Sequence, residues 1–181
     1  MIGLQFRGLV SRLSACMAAL ALAAMLAGCS GSSEELTCPA AAPAPDLDAV
    51  AIFAPGAGTD NASIQAAGKI FDVSRQCEQE KGGILINSLI TVNAIRLAPQ
   101  VSRAEYVYFV AVVDSTRNIL NEQRFTLDAQ FGNQDFRTYV EKISVHLPLQ
   151  HVSAGDGYAI IVGFQLTPEQ LEFNRAHKQQ S

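Results

Sequence analysis

The side chains that could do chemistry in this 181-residue sequence are four cysteines, three histidines and a scatter of carboxylates. A zinc site needs three or four converging ligands. His146, His151 and His177 fall in a strand pattern, a loop pattern and a polar tail, with neither H-x-x-x-H nor H-E-x-x-H spacing. The carboxylates form no recognisable acid–base pair, and no G-x-S-x-G elbow is present for a nucleophilic serine. Gly56-Ala57-Gly58 lacks the lysine and the spacing of a phosphate-binding loop and reads as a chain turn. No catalytic, cofactor-binding or metal-ligating residue is expected, and no enzyme activity.

The cysteines are more informative. Arg7 and Arg12 form a positive leader with no acidic residue before Glu34, and residues 13–26 are apolar or small apart from Ser14 and Cys16. That run is shorter than the about 20 residues a membrane-spanning helix requires. It has the layout of a secretory signal covering residues 1–28. Leu26-Ala27-Gly28-Cys29 resembles the lipobox of bacterial lipoproteins. The resemblance implies that the Cys29 thiol takes a diacylglycerol as a thioether, that a peptidase then cuts before it, and that its freed amine is acylated in turn. Each buried methylene contributes about 0.8 kcal/mol, so two or more acyl chains hold firmly where one does not. The bland alternative is an ordinary signal peptide with Cys29 incidental. Ser30 in place of Asp implies an outer-membrane anchor facing the periplasm, with the inner membrane as the alternative.

Cys16 leaves with the signal and Cys29 is taken by lipid, so Cys38 and Cys77 remain. In an oxidising compartment they are expected to pair, closing a loop worth roughly 3–4 kcal/mol. Two free thiols are the other reading, without the C-x-x-C spacing of a redox motif.

Past the signal, 11 basic side chains face 17 acidic ones. That balance excludes a nucleic-acid binder and leaves no polybasic patch for anionic lipid. Residues 29–45, polar and then Pro/Ala-rich, read as a lipidated flexible linker before a domain over 46–175, with a polar tail at 176–181. Seven strand patterns follow, at 47–54, 69–78, 84–97, 105–114, 119–129, 136–147 and 158–166. In the second, Phe71, Val73, Arg75 and Cys77 share the inward register. In the third, Ile84, Ile86, Ile90, Val92 and Ala94 share one face, and Ile95 and Leu97 break register as a bulge or bend would. Lys81-Gly82-Gly83 and residues 115–118 read as turns. Thr167, Pro168 and Gln170 form a helix start, with Thr as N-cap and Pro in the first turn, and Leu171 and Phe173 seat the helix. The pattern predicts an all-β, two-sheet sandwich of immunoglobulin or fibronectin-III type with a short C-terminal helix. A small antiparallel barrel is the alternative.

Residues 105–114 are apolar on both faces, which a single core cannot absorb. Tyr106, Tyr108, Val110 and Val112 share one face; Val107, Phe109, Ala111 and Val113 share the other. Either the helix or the N-terminal segment covers the excess face, or it meets a partner. Internal cover is the preferred reading; Tyr106, Tyr108, Val110 and Val112 are the candidate surface if a partner protein is met. A ligand or glycan pocket lined by Tyr106, Tyr108 or Tyr158 is the second reading, weakened by the absence of Trp.

Cys38-Pro39, Cys77, YFVAVVD at 108–114 and GYAIIVGFQLTPEQLEFNR at 157–175 resemble a group of small, uncharacterised envelope lipoproteins of proteobacteria. The resemblance spans most of the chain after the signal. It implies an envelope lipoprotein and brings no catalytic residues. The expected function is therefore a non-enzymatic, membrane-anchored sandwich that presents a surface to an envelope protein. Membrane contact would run through the lipid on Cys29, with no cofactor.

Overall fold

A computed structural model describes residues 34–178 of the chain. The signal and Cys29 lie outside the described residues. Eight strands build two four-stranded sheets: β1 (Ala40–Pro43), β2 (Ala49–Phe53), β3 (Ile64–Glu80), β4 (Gly83–Arg96), β5 (Arg103–Asp114), β6 (Ile119–Gln130), β7 (Phe136–Pro148) and β8 (Tyr158–Phe164), followed by helix α1 (Pro168–Lys178). One sheet has the order β1-β8-β5-β6 and the other β2-β3-β4-β7. They pack face to face as a two-sheet sandwich, and the barrel alternative is not adopted. The β2-β3-β4 meander with β7 alongside gives the sandwich its own strand order.

Alternation on β4 works as the sequence implies. Ile84, Ile86, Ile90, Val92 and Ala94 are all buried in the inter-sheet core. Fully burying such a side chain contributes about 1.5–3 kcal/mol. Ser88 sits in the same row, buried, with its hydroxyl unpartnered among the described residues. The β3–β4 hairpin turns on Lys81 and Gly82, whose φ of 84° suits glycine. Gly83 follows because a Cβ there would lie 2.1 Å from the Leu147 carbonyl oxygen.

Three expectations need correction. The register break lies on β3, between Ile70 and Asp72, and not at Ile95 and Leu97, where β4 pairs regularly up to its end. The extra residue turns Phe71 outward, 69% exposed, while Ile70 and Val73 point into the core. The linker also ends sooner than residue 45. Ala40–Pro43 is a strand parallel to β8, Pro39 is buried, and the Thr37 amide donates to the Val152 carbonyl at 3.1 Å. Proline is tolerated here because β1 is an edge strand bounded by Pro39 and Pro43. Finally, α1 runs into the supposed tail, to Lys178.

The Cys38–Cys77 disulfide is present, with Cα atoms 5.6 Å apart. It is half-buried against the core and fixes the start of β1 to β3. The Arg75 side chain donates to the Pro39 carbonyl beside it. At the other end, Thr167 and Gln170 form a reciprocal cap. The Gln170 amide N–H donates to Thr167 Oγ1 at 3.3 Å, and the Thr167 N–H donates to Gln170 Oε1 at 2.9 Å. The remaining side-chain amides of α1 satisfy the free edge of β2. Gln170 donates to the Ala51 carbonyl at 2.7 Å, and Asn174 donates to those of Ala49 and Asp46 at 2.7 and 2.9 Å. Phe173 packs edge-on against Phe53 at 5.2 Å. His177, in the last helical turn, lies with its ring 3.9 Å from that of Phe173.

Candidate interaction face

The four candidate residues for a partner surface do not form one. Tyr106, Tyr108, Val110 and Val112 are at most 3% exposed and fill the space between the sheets. Their face of β5 looks at the opposite sheet, and the polar tips of the two tyrosines are used internally. Tyr106 donates its hydroxyl to the Ala67 carbonyl on β3 at 3.0 Å. Tyr108 donates to the Glu141 carboxylate on β7 at 3.5 Å, and its ring stacks on Phe125 at 5.4 Å. Burial is the main cause pushing both hydroxyls well above the ordinary tyrosine range. These side chains join the two sheets, which removes them from any pocket.

The other face of β5 is partly covered. Phe109 lies over Gly163, close to Leu47 of the segment before β2. Ala111 is buried, and Val107 remains 37% exposed. Along the rest of that outer face Arg103 pairs with Glu105 and Asp128, and Arg124 with Glu122, while Ile119, opposite Val113, is 61% exposed.

Tyr158 is half-buried at one end of the sandwich. With Val112, Leu120, Asn121, His146, Leu147 and Pro148 it lines a recess of about 240 Å³. Pockets for drug-sized ligands run from about 300 to 1,000 Å³. His151 and His177 stand elsewhere, and among the described residues no three His, Cys, Asp or Glu side chains come together as a metal site. Among them, too, no helix is long and apolar enough to cross a membrane.

Sequence reasoning missed the outer face of β2-β3-β4-β7. Six cross-strand rows of outward residues run along it. From one end they are Ala67–Ile95–Phe136, Lys69–Asn93–Thr138, Asp72–Thr91–Val140, Ser74–Leu89–Lys142, Gln76–Asn87–Ser144 and Glu78–Leu85–His146. Phe71, Leu89, Ile95, Phe136 and Val140 are between 38% and 69% exposed. Between them lie neutral polar pairs: Thr138 donates to Asn93 at 2.9 Å and Ser144 to Asn87 at 2.6 Å. At the Phe136 end, α1 stands as a wall beside a largely apolar groove of about 370 Å³, with Ala49, Ala51 and Ala67 in its floor and Phe173 and Phe136 at its sides. The large exposed apolar side chains form two clusters, Ile95 with Phe136 and Phe71 with Val140 and Leu89, separated by the Lys69–Asn93–Thr138 row, and such clusters mark an interaction surface. The sequence signal was the apolar residues Leu85, Leu89 and Ile95 recurring on the face of β4 opposite Ile84, Ile86, Ile90, Val92 and Ala94.

No family model, curated protein or solved structure matches this chain.

Proposed function

We propose that the chain is a non-enzymatic envelope lipoprotein. In this reading its lipid on Cys29 holds it at the periplasmic face of the outer membrane, and its sandwich docks a protein on the outer face of β2-β3-β4-β7. The observation that carries the docking function is the exposure of Phe71, Leu89, Ile95, Phe136 and Val140 on that one face. The opposite outer face has its charges paired and its largest aromatic laid over Gly163. The anchor is supported by Leu26-Ala27-Gly28-Cys29 following an arginine-bearing apolar leader.

The two halves of this reading are tested separately. Cys29→Ser is expected to block normal maturation and to release the protein from the membrane fraction; unchanged processing and sedimentation would refute the anchor. A photo-crosslinking residue at position 140 should capture a protein in cells, while one at position 124 on the opposite face should not. Equal capture from both faces, or none from position 140, overturns the docking face.

A further inference from the structure

We propose that the protein docked on this face is a second copy of the same chain, related by a two-fold axis that runs along β4. The proposal rests on the docking face described above and names its occupant. Such an axis keeps every cross-strand row level and lays β3 of one copy over β7 of the other. The six rows then match. Phe136 comes over Ala67, the small-residue floor beside α1, and Phe71 comes over the stretch holding Thr138 and Val140. The exposed acids of the face, Asp72 and Glu78, are on β3; Lys142 and His146 are on β7. Glu78 thus meets His146, and Asp72 lies one row from Lys142. Lys69 already pairs with Asp48 at 3.4 Å and faces Thr138. No like charges are opposed.

The size is sufficient. Outward residues of β4 from Leu85 to Ile95 span about 34 Å, and three strands are about 14 Å wide. Stacking two such faces buries on the order of 1,000 Å² in total, the size of a weak, reversible association that confinement to one membrane surface would favour.

The end of the chain beyond the described residues selects this axis over the alternatives. Cys38, near the start of the described residues, stands with Cys77 at the far end of β3 from the Phe136 groove. An axis along the strands puts Cys38 of both copies at the same pole, as two lipid anchors in one membrane require. An axis across the strands puts them at opposite poles, stacks β3 on β3 and reverses the rows, so that Glu78 comes over Ala67 and loses His146 as a partner.

Every outward position of β4 lies near the proposed axis and faces its own counterpart. Leu89→Cys, Thr91→Cys and Asn93→Cys, each in the full-length chain in whole cells, are therefore expected to give a covalent homodimer. The reagent is a short bis-maleimide that spans sheets about 10 Å apart. Arg124→Cys, on the other outer face, should not crosslink. Adding Phe136→Asp should cut the dimer yield at least about tenfold with an unchanged melting temperature. Monomer alone at all three β4 positions, dimer at one position only, or an adduct with a different protein each overturns the proposal. Repeating the series in Cys29→Ser separates it from the anchor. Protein that leaves the membrane but still self-crosslinks at high concentration upholds the dimer, and protein that still sediments refutes only the anchor.

Discussion

The two outer faces of this sandwich are built from strands of similar length yet solve the problem of facing water differently. On β5 and β6, Arg103, Glu105, Asp128, Arg124 and Glu122 neutralise one another, and Phe109 is folded down over Gly163. On β3, β4 and β7 the polar groups are mostly neutral amides and hydroxyls already bonded across the strands, while Phe71, Phe136 and Val140 stand out from the surface. The first face is satisfied by itself. The second leaves apolar area unspent, with aromatics in place as on a contact surface, and its few charges, Lys69, Asp72, Glu78 and Lys142, are set among neutral polar groups. The inter-sheet core is the reference against which both are read.

The strongest way to break this comparison is to remove one aromatic from each place. Tyr108→Ala deletes a core ring between the sheets and should lower unfolding stability by about 3–5 kcal/mol. Phe71→Ser, on the outer face, should change it by no more than about 0.5 kcal/mol. Equal losses in chemical denaturation would mean that Phe71 is covered within the chain. Next in size, Cys77→Ser should cost about 3–4 kcal/mol and expose β1 to proteolysis before the rest of the sandwich. Asn174→Ala removes two hydrogen bonds to the carbonyls of Asp46 and Ala49. It should cost about 1–2 kcal/mol and speed amide exchange in α1 before the sheets. If α1 holds as firmly as before, its wall beside the Phe136 groove depends on Phe173 and the Gln170–Ala51 hydrogen bond instead.

Smaller effects sharpen the contrast between core and surface. Ser88→Ala should stabilise by about 1 kcal/mol, since it removes a buried hydroxyl with no partner, and the melting temperature should rise by a few degrees. The β5–β6 turn supplies a pH test. Hydrogen bonds from Thr116 and then Asn118 depress the Asp114 carboxyl to about 2, from an ordinary value of 3.8. A depressed carboxyl stabilises the fold above its unfolded value and loses that contribution as pH falls from about 4 toward 2. Wild type should lose more stability than Asp114→Asn across that interval, and parallel curves would remove the turn from the account.

Much of this architecture was legible because local patterns and tertiary demands coincide. Ile84 through Ala94 alternate without error, and Thr167-Pro168 with Gln170 announces the helix that the fold contains. The pairing of Cys38 with Cys77 followed from counting. What escaped was set by long-range geometry. Nothing in the run from Ile70 to Val73 says that one residue is extra, yet that residue decides whether Phe71 is core or surface. Ala40–Pro43 has the composition of a linker and becomes a strand because β8, over a hundred residues away, offers an edge and the disulfide brings it there. For β5, apolar on both sides, alternation could not say which side the second sheet would take. The candidate contact side proved to be core, and the exposed set on β3, β4 and β7 was not singled out.

The clasp at the start of the domain has a mechanical consequence. Any tension applied to the chain before residue 38 passes through the Cys38–Cys77 bond into β3, which is hydrogen-bonded along its length to β4. The four-residue β1 lies beyond that branch point and shares the load with β3 instead of bearing it alone. A pull that would unzip a short parallel strand is thus delivered in shear to the longest ladder in the molecule, and reduction of one bond is enough to reroute it.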